Sequence, residues 1–223
     1  SLLRQLSRDN FALLGAEGGL WTGAGRLAVP DPTSGRFVPV MQLSWRWQAA
    51  YLLRGQLRWQ LTPEGKPPAA LAIGFHGPLI EKLDLGVPAR YALERIPNAF
   101  GRAGWHGDLL LTVQDWRCDW RGTCSGEAGL KWLGAASDLF PQRRFGDYAF
   151  HAHAQQGLTR FELTTLAGEI QLQATGKIAP TGQIEVEGHI VGDPAFVGRL
   201  PNIAGRLVTP DGAPGQLRFA FRQ

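Results

Sequence analysis

The chain has 223 residues, two cysteines and a formal net charge of +4 at pH 7, which is length enough for one generous domain or two small ones and needs no metal or disulfide framework to bury a core. The positive charge is spread thinly, with no block of like charges, which argues against a nucleic-acid arm or a polybasic membrane patch. No apolar run reaches the roughly 18 residues of a membrane-spanning helix, and the abrupt start at Ser1 carries the expectation of a targeting or anchoring segment before it.

Residues 1–16 are the one long helical candidate, with Leu2, Leu3, Leu6, Leu13 and Leu14 loosely spaced among polar residues. Beyond them, 29 glycines and 15 prolines punctuate short apolar runs at the intervals of an antiparallel sheet. Strands are predicted at 24–29, 39–48, 52–61 and 69–75, with 62–68 as a hairpin loop. Segment 86–100 reads as a short helical turn or a loop. Further strands are expected at 108–116, 127–133 and 147–153. The clearest alternation follows in Phe161-Glu162-Leu163, Ile170-Gln171-Leu172-Gln173 and Ile184-Glu185-Val186-Glu187, with Thr181-Gly182 placed for a hairpin turn. Strands at 203–208 and 215–221 close the chain.

A tryptophan-and-glycine phrase recurs along this series. Gly18 to Leu27, Leu43 to Trp47 and Gly55 to Trp59 are echoed by Gly104 to Leu109, Trp116 to Trp120, Gly129 to Trp132 and Gly215 to Phe219. The repetition predicts two related halves, about 18–100 and 101–210, sharing one continuous sheet. The expected fold is therefore all-β: a strongly curved antiparallel sheet or roll forming a single domain over 1–223, with at most one N-terminal helix.

The eight tryptophans divide by their neighbours. Trp21 and Trp105, or Trp59 and Trp132, read as core anchors of the two halves. Trp45, Trp47 and Trp120, flanked by arginine, are the candidates for a partner-binding hot spot. The same Trp-Arg neighbours are the composition of a nucleic-acid stacking platform, but adjacent strand residues point to opposite faces, so Trp inward and Arg outward describes a half-buried sheet. No nucleic acid is expected as a partner. Cys118 and Cys124 enclose a short turn-forming stretch and are too few for zinc. A disulfide pinning a hairpin is the favoured reading, implying an oxidising compartment; two buried free thiols are the alternative.

His151 and His153, two apart in a strand, share a face, but a third metal donor would have to come from His106, His189 or Asp147, and no spacing demands it. Ser125 lacks the Gly-x-Ser-x-Gly elbow, Glu185 and Glu187 read as a solvated strand face, and the glycines at 101 and 104 as a turn. Asp108, Asp115 and Asp119 show no pattern that makes a carboxylate pair. No catalytic residue, metal or cofactor is expected, and a scaffold or binding surface is favoured over an enzyme.

With these residues in hand, the chain resembles the periplasmic part of the type II secretion system protein N family. The resemblance rests on Gly19-Leu-Trp-Thr-Gly-Ala-Gly-Arg-Leu27, the repeated Gly-x-Leu-x-Trp phrase, the Cys118/Cys124 pair followed by Gly129-Leu-Lys-Trp132, and Phe145-Gly-Asp-Tyr148, in that order, over about Gly18 to Phe221. It implies a non-enzymatic accessory part of the machine that exports folded periplasmic proteins. It also implies a periplasmic location, an anchor in the inner membrane through one helix before Ser1, and partners among the C component, the inner-membrane platform and the secretin. The alternative is an envelope lipid-binding protein whose curved sheet forms an apolar groove, with Phe161/Leu163, Ile170/Leu172 and Ile184/Val186 supplying a continuous exposed stripe.

Overall fold

Alternation of apolar and polar side chains along nearly every segment dictates strands with two unlike faces, and short glycine-rich turns dictate that each strand returns beside the one before it. The computed structural model describes residues 11–31, 34–94, 96, 100–141, 143–198 and 208–222. Its strands are β1 (Ala12–Gly18), β2 (Thr22–Pro30), β3 (Phe37–Trp47), β4 (Gln56–Pro63), β5 (Ala69–Gly74), β6 (Gly77–Glu81), β7 (Leu83–Pro88) and β8 (Trp105–Cys118). They continue as β9 (Cys124–Ser137), β10 (Arg144–Gln155), β11 (Leu158–Ala167), β12 (Gln171–Ile178), β13 (Ile184–Val191), β14 (Val208–Pro210) and β15 (Gln216–Arg222).

All fifteen belong to one open antiparallel sheet. The strands follow chain order to β13 with two departures: β7 pairs with β8 beyond the end of β6, and the final strand β15 lies between β13 and β14. The predicted turn at Thr181-Gly182 joins β12 to β13, with the Gly182 amide donating to the Ala179 carbonyl at 2.9 Å. The 62–68 segment is the predicted hairpin loop between β4 and β5. Segment 86–100 contains a one-turn helix, Ala89–Leu93. Among the described residues no helix is long and apolar enough to cross a membrane.

Two expectations are corrected. The described part of the 1–16 helix is extended instead: from Ala12 it pairs with β2, with a bulge between Leu14 and Glu17. Residues 1–10 lie outside the described residues. The strand expected at 52–61 begins only at Gln56, because Ala49–Arg54 wind into a 3-10 segment that ends on Gly55 in the left-handed region. Of the strand expected at 203–208, only Val208 falls among the described residues.

From β8 to β15 the register aligns the apolar side chains into cross-strand rows. One row runs Leu109, Trp132, Tyr148, then Leu172, Ile190 and Leu217. Buried Ala135, Phe145, Tyr148, Ile170, Val197 and Leu217 form the core on this face, with Trp105, Trp132, Phe140 and Leu163 packed against it. The Trp105 ring meets Trp132 at 5.1 Å and Phe145 at 6.3 Å, both edge-on, a favourable arrangement of aromatic quadrupoles. The Tyr148 hydroxyl donates to the Ile170 carbonyl at 3.1 Å. Burial first, and the Asp147 charge second, push its phenol up to about 12.

Farther along the same face, aromatic rings lie across glycines of the neighbouring strand. Phe161 pairs with Gly176 and Phe219 with Gly188. A methyl group on either glycine would sit within 2.5 Å of the opposing ring carbon, so only glycine admits these rings flat against the sheet.

Candidate interaction surface

The two faces of the sheet differ in chemistry. Opposite the apolar rows, Glu127, His153, Arg160, Lys177, Glu185 and Arg222 follow one another across six strands in direct register. Lys177 and Arg222 both reach Glu185 at 2.8 Å. The Lys177 hydrogen bond, and then the Arg222 charge, hold its carboxyl below the usual range. Glu185 is thus a fully paired carboxylate in a charge ladder rather than half of an acid pair with Glu187. Thr112, His151, Glu162 and Thr175 line an open trough on this charged face.

The histidines are dispersed among separate carboxylates. His153 lies 3.5 Å from Glu127, His106 is 2.7 Å from Asp138, and His189 is 3.0 Å from Asp211. His151 faces Gly129, and Asp147 accepts from the Gly134 amide. Among the described residues no three His, Cys, Asp or Glu side chains come together as metal donors. Ser125 sits in β9 opposite Arg117. The 101–104 glycine segment is a 3-10 turn, and the Asp138 carboxylate lies against Gly104 where an anion would otherwise approach.

Cys118 and Cys124 form a disulfide. They are a direct cross-strand pair closing the β8–β9 hairpin. Inside the loop, Asp119 Oδ accepts from the Thr123 amide at 2.8 Å and the Arg121 amide at 2.9 Å. The Thr123 bond is the main reason its carboxyl is held below its ordinary value. So small a ring removes little chain entropy. Replacing both cysteines by serine should lower stability by about 2 kcal/mol, seen as a shifted denaturant midpoint at unchanged slope, and a reducing agent should then have no further effect on the variant.

The three tryptophans singled out as partner-binding candidates are placed differently. Trp45 and Trp47 are half-buried on the apolar face of β3. Trp45 donates its indole N–H to the Gly19 carbonyl at 2.8 Å, and the Trp47 ring packs 4.4 Å from Trp21. Trp120 projects from the disulfide-closed turn, exposed, with its indole N–H bonded to the Phe75 carbonyl at 2.9 Å. Trp105 and Trp132 join the core as the sequence suggests, whereas Trp21 stands at the surface. Exposed Phe75, Leu53 and Leu20 were not singled out from the sequence. Their place at turns beside Gly19, Gly55 and Gly77 is the signal that marks them.

The lipid stripe is divided in two. Leu163, Ile170 and Leu172 belong to the core or pack against it, while Phe161, Ile184, Val186 and Phe221 remain half-exposed farther along the same face.

The sheet also has two ends. β1 pairs with β2 and with no other strand among the described residues, and β14 pairs only with β15. β14 is three residues long and ends in a proline, which blunts it. β1 has seven residues, exposed from Leu14 onward.

A family model described as type II secretion system (T2SS), protein N matches residues 9–219. No curated protein and no solved structure matches the chain.

Proposed function

The chain belongs to the type II secretion system protein N family, and from that premise we propose that it is a non-enzymatic accessory component that binds other parts of the secretion machine. In this reading it is the periplasmic domain of a protein anchored in the inner membrane, a location with which the Cys118–Cys124 disulfide is in keeping. Its partners are protein components of the machine: the C component, the inner-membrane platform or the secretin.

The open edge at β1 carries the proposal. An exposed strand of this length presents backbone donors and acceptors to an incoming strand, and strand addition recognises a partner through main-chain hydrogen bonds. Half-exposed Phe161, Val186 and Phe221 favour lipid cargo as the second reading.

The test is a deletion strain complemented with the anchored full-length protein, with exported enzymes assayed in medium and periplasm. The deletion should trap those enzymes in the periplasm, and the natural sequence should restore export. Leu14→Lys places a charge on the edge at an exposed position and should restore export several-fold less well. Full restoration by that variant removes β1 as the docking edge. Unchanged export, with altered envelope lipid composition or permeability, gives the protein to the lipid reading instead.

A further inference from the structure

Consecutive antiparallel strands alternate in direction, so every second turn falls at the same end of the sheet. Among strands β1 to β9, four turns share one end: 19–21 between β1 and β2, 49–55 between β3 and β4, 75–76 between β5 and β6, and 119–123 between β8 and β9. Each holds a large apolar side chain out in solvent. Leu20 and Trp120 are 67% exposed, Phe75 82% and Leu53 95%. At the opposite end the β2–β3 and β4–β5 turns are polar, with Asp31, Ser34 and Arg36 in the first and Glu64 and Lys66 in the second, whereas the β7–β8 connection carries the Ala89–Leu93 helix and the β9–β10 loop an exposed Leu139.

The four tips are tied together. Trp59 donates its indole N–H to the Leu20 carbonyl at 3.1 Å. The Phe75 ring lies on Gly55, where a methyl group would sit 2.2 Å from Cε2. Trp120 bonds to the Phe75 carbonyl, and the Cys118 carbonyl closes on Gly77. The result is a rim in which the Leu20 backbone, the Phe75 ring and the Trp120 indole are anchored to neighbouring strands and turns.

The charged side chains within these four turns are Arg54 and Arg121 against one carboxylate, Asp119, which is already engaged by two backbone amides. On the strand ends just behind them, Arg46 and Arg117 are offset by Glu17 and Asp115. The leading edge is therefore apolar and cationic.

We propose that this rim docks onto an anionic lipid bilayer, with Leu20, Leu53, Phe75 and Trp120 entering the headgroup region and Arg54 and Arg121 meeting lipid phosphates. Tryptophan with its N–H satisfied, leucine and phenylalanine favour that depth, and attraction to anionic lipid adds to the buried apolar area. Separate tips offer a protein partner no enclosed pocket of the kind that concentrates binding energy, whereas fluid lipid closes around each one.

The test is cosedimentation of the 223-residue chain with vesicles of phosphatidylethanolamine and phosphatidylglycerol, and with vesicles of phosphatidylcholine alone. Binding should favour the anionic vesicles, weaken with added salt, and shift tryptophan emission to the blue. Leu53→Ser combined with Phe75→Ser should weaken partitioning roughly tenfold or more. Arg54→Glu combined with Arg121→Glu should abolish the preference for anionic lipid. Leu53→Ser alone, at a side chain almost wholly in solvent, leaves the fold intact and should still weaken binding measurably. Failure to bind either vesicle, or binding unchanged in all three variants, overturns the proposal. So does a chain that ignores vesicles but self-associates, or captures a secretion component, through the same residues. Vesicle binding is read apart from export, so its failure leaves the secretion assignment standing.

Discussion

Replacing Phe145 by alanine should lower the stability of the protein by about 3–5 kcal/mol, the range expected for deleting a buried aromatic ring from a core that cannot collapse around the gap. Phe145 is buried where Trp105, at 6.3 Å, and Phe140, at 5.9 Å, present their edges to it. The walls of that site come from different places. Trp105 opens β8, Phe140 lies in the loop between β9 and β10, and the Phe145 carbonyl accepts from the amide of Ile170, the residue just before β12. Strands that hold each other in register cannot shift to fill a cavity without breaking ladder hydrogen bonds. At about 2–4 °C per kcal/mol for a chain of this size, the melting temperature should fall by roughly 10 °C. Leu166→Ala, at an exposed position on β11, is the control and should change stability by less than about 0.5 kcal/mol. Equal effects from the two substitutions would mean that the face bearing Phe145 is not the core.

The second large effect belongs to a polar pair. Arg58 donates twice to Glu81, at 2.9 and 2.6 Å, and its guanidinium lies 4.3 Å above the Tyr51 ring of the 3-10 segment. The side chains are only 14% and 30% exposed. Glu81→Ala would leave a guanidinium held against an aromatic ring with its counter-ion gone, at a cost of about 2–3 kcal/mol once partial access of water is allowed for. Changing both residues to methionine removes the unpaired charge and should cost clearly less than Glu81→Ala alone. A double-mutant cycle on denaturant midpoints measures this. Strict additivity would show that the pair is screened like an ordinary surface bridge.

This pair also marks the limit of reading faces from sequence. Alternation assigns Trp59 and Arg58 to opposite faces, and the structure agrees. What alternation cannot supply is the cover. The Ala49–Arg54 segment folds over Arg58 and turns an outward-facing arginine into a half-buried one. Its Tyr51-Leu52-Leu53 run has strand composition, and the reason it winds instead is the left-handed Gly55 that ends it. The first strand was illegible for a similar reason. Leu13 and Leu14 sit beside each other as a helix would have them, and the bulge before Glu17 breaks the period of two by which a strand is recognised. From β8 to β13 the periods are long and clean, so the strands and their turns are legible in the residues, and of the two readings of Cys118 and Cys124 the favoured disulfide is the one that forms. The tryptophans lie between these cases. Periodicity gives the face of Trp45, Trp47 and Trp105, but the exposure of Trp21 and Trp120 depends on which turns share an end of the sheet, a property of the whole topology.

The position of β15 between β13 and β14 sets an order in time. From β2 to β13 every strand except β7, which waits for β8, finds a partner among residues already in place, so the sheet can lengthen as the chain is made. The last strand does not extend the sheet but slots into its interior, and it carries Leu217 into the core beside Tyr148 and Val197. The apolar face therefore stays unsealed until β15 arrives. A chain caught before Gln216 would show its interior to whatever chaperone or protease is waiting, and the arrival of this one strand is what hides it.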